Sequence, residues 1–406
     1  MAKILYCGDV GCQTGFGRVA EYLIPALAKE HEVHALAVNY GGDPSEMQQV
    51  CQMYPAMAYG HDPFGGHRIA ELVQRIQPDL VWVTNDFWIG INLWHQIKEL
   101  KERIPFKFFC YTPIDSYGIY PETMPPTQEW DGLATYTKFG AEELRRAGYN
   151  KHIDVVGHGT DFSKFFPMDQ RECRKALGVP EDAFIVFNGN RNQPRKRIDL
   201  TIKGFVKFAL DKPDARLWLH MGQKDMGWDI VPLFKRVARD MDYDSAGKLI
   251  LTNPAFSTEN CLSIEQLNQV YNAVDIGVNT CIGEGWGLVN TEHAATGVAQ
   301  LVPDHTSLRE IFYDVPRIPI EGWEVDRNYG LDRGQPSPTE MANLLTQYYE
   351  DRKLLASVGQ QCYDRVHDAE LTWPAVTNKM ETIVERLLKT PSEKEFKGFG
   401  TPTRID

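Results

Sequence analysis

The stretch DIGVNTCIGEGWGLVNTEHAATG, residues 275–297, places an apolar run, a glycine-rich turn and a helix pattern in direct succession. DIGVNT (275–280) predicts a strand, and the helix pattern resumes at LVNTEHAATG. Gly285 and Gly287 therefore lie in a tight turn between a strand and a helix. Because parallel sheets bind ligands at the carboxyl ends of their strands, near helix N-termini, this turn predicts a ligand site.

The chemistry of the turn indicates an anionic ligand with hydroxyl groups. The absence of β-carbons at Gly285 and Gly287 allows a ligand to approach the backbone. The amides of residues 287–290 suit an anion such as a diphosphate. Glu292, one turn into the helix, suits a ribose diol, and Glu284, before the turn, suits sugar hydroxyls. The alternative is an ordinary helix N-terminus with acids in its first turn.

A basic segment lies at the predicted edge of the same sheet. NGNRNQPRKR (188–197) follows the first strand of the second half and carries Arg191, Arg195, Lys196 and Arg197. Cations at that edge would face the cleft and neutralise a diphosphate, Arg through paired bonds and Lys as a point charge. The alternative is a solvated basic loop. The combination of both segments at one sheet edge favours a binding site.

Alternating strands and helices extend along the chain. Apolar runs at 3–9, 33–38, 79–84 and 106–112 are separated by helix patterns, and the alternation restarts after Pro167 with runs at 183–190, 215–222, 248–252 and 275–280. This pattern predicts an α/β fold with two doubly wound, Rossmann-like domains that face a central cleft. We expect the domain junction near residues 162–170.

Composition narrows the class of protein. The 406 residues carry a net charge of −12, which argues against broad nonspecific binding of nucleic acid. No apolar run reaches the roughly 18 residues of a membrane span. The N-terminus shows no signal-peptide pattern, and the eight scattered cysteines include no CxxC pair. We therefore expect a cytoplasmic protein with reduced thiols.

These segments resemble the retaining, nucleotide-sugar-dependent glycosyltransferases of family 4, which have the GT-B fold. GEGWGLVNTEHA is similar to the family's motif of two glutamates eight residues apart, and Arg191 and Lys196 match its Arg and Lys. Residues 136–167 resemble the family's run into its interdomain linker, and the tail helix with Trp373 resembles its helix that crosses back to the first domain.

The resemblance implies a division of the chain and a role for each part. It implies an acceptor-binding domain at 1–166, a donor-binding domain at 167–370, and a crossing helix and tail at 371–406. Arg191 and Lys196 would then hold the donor diphosphate, Glu292 the ribose, and Glu284 the transferred sugar. Together with residues expected from the turns, the predicted donor-binding set is Gly15, Gly17, Arg191, Lys196, Gly285, Gly287, Leu288, Val289 and Glu292.

The N-terminal segment GDVGCQTGFGRVAEYL (8–23) is a second glycine loop. Gly15, Gly17 and Ala20 satisfy GxGxxA, but the second strand ends in VNYGG without the acid that a dinucleotide site requires. In the resembled family this loop lies across the cleft near the donor. The alternative is a plain strand-to-helix turn.

Two acids are candidates on the acceptor side. Asp115, in YTPIDSYGIY (111–120), lies where the family often has a histidine, and it suits sugar orientation, proton abstraction or a turn cap. Asp86 ends another strand beside Phe87 and Trp88, whose rings suit a sugar but equally suit a core. The histidines lack metal-ligand spacing, so no metal site is expected.

The sequence thus predicts a glycosyltransferase that moves a sugar, expected to be a hexose, from a nucleotide diphosphate to an unidentified acceptor. Glu284, Arg191, Lys196 and Asp115 are its expected catalytic residues, and neither a cofactor nor a metal is expected. A glycan, a lipid, a protein and a modified nucleobase remain open as acceptors, as does the oligomeric state. The alternatives are a nucleotide-sugar epimerase of the same fold and a dinucleotide-dependent oxidoreductase.

Overall fold

The first sheet contains seven parallel strands in the order β3-β2-β1-β4-β5-β6-β7. The computed structural model describes residues 1–60, 62–252 and 262–390. The sheet's strands are β1 (Lys3–Asp9), β2 (Glu32–Val38), β3 (Gln52–Pro55), β4 (Leu80–Thr84), β5 (Lys107–Thr112), β6 (Gly132–Thr135) and β7 (Asp154–Val155). The strands β2 and β3 lie on one side of β1, and the later strands, from β4 to β7, lie on its other side. The strand order therefore reverses between β1 and β4.

The second sheet repeats this arrangement with five parallel strands in the order β10-β9-β8-β11-β12. Its strands are β8 (Phe184–Asn188), β9 (Ala215–Leu219), β10 (Leu249–Leu251), β11 (Ile276–Val278) and β12 (Ala299–Leu301). Here the order reverses between β8 and β11. Such reversals open a crevice at the carboxyl ends of the two strands, which is where doubly wound sheets bind ligands.

Helices cover both sheets, as the continuous burial of the central strands requires. They are α1 (Gly15–Leu27), α2 (Gly66–Ile76), α3 (Phe87–Ile97), α4 (Lys138–Arg146), α5 (Gln170–Leu177), α6 (Ile198–Ala209), α7 (Ile230–Asp240), α8 (Ile264–Asn272), α9 (Leu288–Ala294), α10 (Thr306–Ile311), α11 (Pro338–Glu350), α12 (Arg352–Val366) and α13 (Trp373–Lys389). No helix in these described ranges is long and apolar enough to cross a membrane.

The C-terminal helix α13 returns to the first domain, as predicted. Thr372 caps its first turn and Pro374 follows at a position where the missing amide costs nothing. The ring of Trp373 stacks on Tyr22 of α1 with centroids 4.2 Å apart. Further along, Arg386 Nη1 donates to Asp154 Oδ1 at 3.0 Å. The chain end therefore ties the two domains together.

An antiparallel hairpin, formed by β13 (Ile320–Val325) and β14 (Asp332–Pro336), was not predicted. It extends from the second domain to the first, where Asp332 and Tyr117 exchange backbone hydrogen bonds of 3.0 and 3.3 Å. The hydroxyl of Tyr120 also donates to the carbonyl of Gly330 at 3.1 Å. The contacts join residues more than 200 positions apart, so no local pattern in the sequence indicates them.

Candidate functional site

The two segments singled out in the second domain meet where the strand order reverses. The amide of Ile282 donates to the carbonyl of Arg195 at 2.9 Å, and the hydroxyl of Thr280 donates to the carbonyl of Arg197 at 2.9 Å. Lys196 Nζ forms an ion pair with Glu284 Oε2. The structure therefore places Lys196 and Glu284 together at the carboxyl ends of β8 and β11, the edge predicted from the sequence.

Glu284 is buried among positive charges. Arg195 Nη1 lies 3.6 Å from Glu284 Oε1, and the same guanidinium donates to the carbonyl of Gly283. Burial by itself raises the pKa of Glu284, but the charges of Lys196 and Arg195 outweigh it and hold the pKa below its usual value. Glu284 is therefore ionised at neutral pH and can accept hydrogen bonds from hydroxyl groups.

Arg191 lies apart from this pair. Its guanidinium binds Asp225 with distances of 2.7 Å and 3.1 Å, and 59% of its side chain is exposed. The cation that lies with Lys196 on the Glu284 carboxylate is Arg195. A short 3₁₀ turn, Pro194–Lys196, places these two consecutive cations on the Glu284 carboxylate. The predicted role of Arg191 toward the diphosphate requires it to leave Asp225.

The glycines of the turn are used differently from the prediction. A β-carbon on Gly283 would lie 2.0 Å from the carbonyl oxygen of Asp115, and one on Gly285 would lie 2.5 Å from Pro113 Cβ. The first domain therefore occupies the β-carbon side of Gly283 and Gly285. Gly287 has φ of 103°, a left-handed conformation that favours glycine, and it forms the N-cap of α9.

The predicted set of free amides is also shorter than expected. The amide of Asn290 donates to the carbonyl of Gly287 at 2.9 Å and closes the first turn of α9. Its N–H is therefore occupied, contrary to the predicted range of 287–290. The amides of Gly287, Leu288 and Val289 precede this first intrahelical bond and are the ones of the range 287–290 left for an anion.

Glu292 lies one turn into α9, as predicted, in a less charged environment. Arg18 Nε of the first domain lies 3.8 Å from its carboxylate. Burial raises the pKa of Glu292 to about 7, and the charge of Arg18 only partly opposes this shift. Near neutral pH this carboxyl gains or loses its proton easily, so hydroxyl donors such as those of a ribose would favour its charged form.

The N-terminal glycine loop reaches this helix across the cleft. Thr14 caps α1 by accepting from the amide of Gly17 at 3.0 Å, and its own hydroxyl donates to Asp9 at 2.5 Å. A β-carbon on Gly15 would lie 3.9 Å from the side chain of Leu288. A β-carbon on Gly17, by contrast, would lie 2.1 Å from the carbonyl of Cys12.

Gly15 thus faces the donor side. Gly17 must be glycine for another reason: the backbone of its own loop leaves no room for a β-carbon. The amide of Gly17 is already occupied by Thr14, which removes it as a backbone ligand in this conformation. Both glycines also lie within α1 rather than in the turn before it. The GxGxxA spacing therefore does not form the phosphate-binding turn of a dinucleotide fold, where the first glycines precede the helix.

Asp115 is held at the cleft by two arginines. Arg195 Nε lies 3.4 Å from one of its carboxylate oxygens, and Arg333 Nη1 lies 2.9 Å from the other. Burial opposes ionisation, but these two cations hold the pKa of Asp115 below its usual value. Arg333 comes from β14 and is almost fully buried; the sequence analysis missed it because nothing local marks it as a partner of Asp115.

Asp86 ends β4 where the strand order of the first sheet reverses. Burial raises the pKa of Asp86 to about 7, and the nearby charge of Asp115 adds to this shift while Arg195 and Arg333 oppose it. The two predicted acceptor-side acids therefore lie in one electrostatic group with the donor-side cations. Among the described residues, no cluster of three or more His, Cys, Asp or Glu side chains is placed to hold a metal ion.

Comparisons with known proteins relate part of this chain to one family. The model of Glycosyltransferase Family 4 matches residues 14–164. A D-inositol 3-phosphate glycosyltransferase of a Nocardioides species is 28% identical over 149 residues, which are 36% of this chain and 32% of that protein. The mannosylfructose-phosphate synthase of Agrobacterium fabrum is 29% identical over 40% of this chain and 35% of its own. The chain thus spans about a third of these relatives.

Solved structures match nearly the whole chain. Sucrose-phosphate synthase from Thermosynechococcus elongatus has a TM-score of 0.74 at 17% identity, covering 95% of this chain and 99% of its own. HepE of Anabaena, solved with UDP and glucose, has a TM-score of 0.68 at 14% identity, covering 95% of this chain and 100% of its own. At these identities the similarity shows the fold. The solved structures thus show that the two facing domains have the GT-B fold that the resemblance implied, and the matched segments are similar to glycosyltransferase family 4.

Proposed function

We propose that this protein is a glycosyltransferase that moves a hexose from a nucleoside diphosphate donor to an acceptor bound by the first domain. The observation that carries the proposal is the group of Lys196, Arg195 and Glu284 at the crevice between β8 and β11. Two cations and a carboxylate at one point suit a ligand that joins a diphosphate to a hydroxylated sugar.

The proposed donor pose follows from this group. The diphosphate would take over Lys196 and Arg195 from Glu284 and would lie over the amides of Leu288 and Val289. Glu284 would then accept hydrogen bonds from the transferred sugar, while Glu292 would bind the ribose. HepE was solved with UDP and glucose, and we propose UDP as the nucleotide here as well.

The same groups would lower the barrier for departure of the diphosphate. Negative charge develops on its bridging oxygen in the transition state, and fixed cations and amides stabilise that charge without reorganising. These cations need no metal ion, so we propose metal-independent transfer. Glu284 and Asp115 are each held by cations, which disfavours either as a covalent nucleophile. We propose that the acceptor attacks from the face that the diphosphate leaves, with retention at the anomeric carbon.

Calorimetric titration with UDP and with UDP-glucose, each with and without a chelator, tests this function. We expect both ligands to bind, with affinities that agree between the two conditions. A roughly tenfold loss with chelator would contradict metal independence. Absence of binding by any nucleoside diphosphate would contradict the proposed donor site. Conversion of the donor sugar to an epimer without acceptor would favour the epimerase alternative.

A further inference from the structure

A free carboxyl lies at the reversal point of the first sheet. Asp86 stands at the N-cap of α3, where an Asp side chain normally accepts a hydrogen bond from the first helical turn, yet it makes no such bond. Within the described ranges its carboxylate has no hydrogen bond or ion pair; the backbone amide of Asp86 donates to Asn85 Oδ1, and its carbonyl accepts from the amides of Ile89 and Gly90. Asp86 is partly buried, and its carboxyl is available to accept a hydrogen bond from a ligand.

An aromatic pair includes a residue that closely follows Asp86 in the chain. Trp88, two residues further along the chain, stacks on Tyr329 of the hairpin, with centroids 5.3 Å apart and ring planes 22° from parallel. The pair joins the two domains, and 53% of Tyr329 is exposed. A carboxylate beside broad apolar rings suits a carbohydrate, because the carboxylate accepts from its hydroxyls and the rings pack against its C–H faces.

The cations that face this part of the cleft are already occupied. Arg333 binds Asp115 at 2.9 Å and lies 3.7 Å from Asp326. Arg195 is shared between Asp115 and Glu284, and Lys196 is bound to Glu284. A donor diphosphate would draw on Lys196 and Arg195, while Arg333 would remain with Asp115. None of these three cations is left for a phosphate on the acceptor, and Asp86 would repel one.

We propose that the acceptor is an uncharged carbohydrate, that Asp86 binds one of its hydroxyls, and that Asp86 discriminates against phosphorylated acceptors. This inference rests on the proposed function and specifies its acceptor. It separates this chain from the relatives reported above, whose names carry phosphorylated compounds. Asp86 is therefore a specificity-determining residue of the acceptor side.

Matched pairs of sugars test the inference on the UDP-saturated protein. The pairs are glucose with glucose 6-phosphate, fructose with fructose 6-phosphate, and myo-inositol with inositol 3-phosphate, and binding is followed by calorimetry. We expect at least one neutral sugar to bind roughly tenfold or more tightly than its phosphorylated partner, because a phosphate would lie near an unpaired carboxyl. Phosphorylated sugars that bind as well as or better than every neutral one would overturn the inference.

Variants test whether Asp86 and Tyr329 cause the preference for neutral over phosphorylated sugars. Asp86→Asn keeps the shape of the side chain. We expect it to reduce roughly tenfold the difference in affinity between a neutral sugar and its phosphorylated partner, without changing the affinity for UDP. Tyr329→Ala should weaken the neutral sugar alone. Asp314→Asn, an exposed Asp of the second domain, is the charge-matched control and should change nothing.

The outcomes separate this inference from the proposed function. UDP binding without binding of any neutral sugar would overturn the inference and leave the donor site intact. Failure of UDP to bind would contradict the donor site itself. If the difference in affinity between neutral and phosphorylated sugars is unchanged in Asp86→Asn, the role of Asp86 in discriminating between them is overturned.

Discussion

Glu284 and Glu292 lie on the same turn and helix and are equally buried, with 8% of each residue exposed, yet their pKa values are shifted in opposite directions. Burial raises the pKa of both carboxyls. For Glu284 the charges of Lys196 and Arg195 outweigh burial. For Glu292 the charges of Arg18, at 3.8 Å, and of Lys164 do not outweigh burial, and its pKa is about 7. Equal burial therefore says little about charge; the number and distance of cations decide it.

The contrast predicts a division of labour between the two glutamates. A permanently ionised Glu284 can orient a sugar at any pH near neutrality, but its cations must be shared with an incoming diphosphate. Glu292 binds few cations and would gain its charge when ribose hydroxyls donate to it. The following predictions would break or sharpen this comparison.

Replacing Lys196 with Ala should have the largest effect. It leaves Glu284 buried with one cation fewer, and breaking such a pair costs about 3–5 kcal/mol of stability. The same change should lower the affinity for UDP roughly tenfold to a hundredfold, since a charge-assisted contact is worth about 1.5–3 kcal/mol. Chemical unfolding and calorimetry measure the two effects separately.

The double variant Lys196→Ala with Glu284→Gln is the matched control. It removes the unpaired charge, so it should recover stability without recovering UDP affinity. Recovery of both would show that Lys196 acts only by supporting the fold, and unchanged UDP affinity in the single variant would remove Lys196 from the donor site.

Glu284→Gln should lower turnover while leaving UDP affinity nearly unchanged. The variant keeps the size of the side chain and removes the charged acceptor of sugar hydroxyls, which counts most in the transition state. A roughly tenfold to hundredfold loss in kcat is expected, corresponding to about 1.4–2.7 kcal/mol. Steady-state kinetics with UDP-glucose measures it. Loss of UDP affinity equal to that in Glu292→Gln would show that the segment is one structural turn.

Glu292→Gln should weaken UDP and UDP-glucose alike and should change how stability depends on pH. The folded protein keeps a proton on Glu292 up to a pKa of about 7, above the ordinary value of 4.5, so this group makes stability fall as pH rises between those values. Above pH 7 the variant should gain stability, on the order of 1–3 kcal/mol.

Unfolding midpoints measured from pH 4 to pH 8 test this expectation, because the wild type and the variant should converge at the acidic end of the range. Asp86, whose pKa is also about 7, should leave part of the slope in the variant. A difference in stability between the wild type and the variant that stays constant with pH would show that Glu292 is not the group that titrates.

Arg191→Ala should have the smallest effect on the fold. Its pair with Asp225 is largely exposed, and such pairs are worth about 0–1 kcal/mol. If Arg191 turns to the donor as the family resemblance implies, UDP affinity should fall while stability stays the same. Asp225→Asn, which frees Arg191 without removing it, should then leave UDP affinity equal or higher. Unchanged affinity in Arg191→Ala would leave Arg195 and Lys196 as the cations of the site.

Local patterns in the sequence were sufficient for the architecture. Apolar runs and helix periods predicted the central strands of both sheets, the turn before α9 and the helix α13, because burial on both faces of a parallel sheet dictates composition strand by strand. The reversal of strand order then brought Lys196 and Glu284 together. Both lie in loops that follow neighbouring central strands, so the fold class brings these loops to the same sheet edge.

Tertiary structure decided which neighbour each charged group has. Arg191 and Arg195 are indistinguishable by residue type, and only the positions of Asp225 and Asp115 separate an exposed pair from a buried one. Arg333 reaches Asp115 through a hairpin whose contacts span more than 200 residues. Gly283 and Gly285 likewise accommodate residues of the first domain on their β-carbon side. Such contacts depend on how two domains face each other, and electrostatic partners at 3–4 Å follow from that geometry rather than from spacing along the chain.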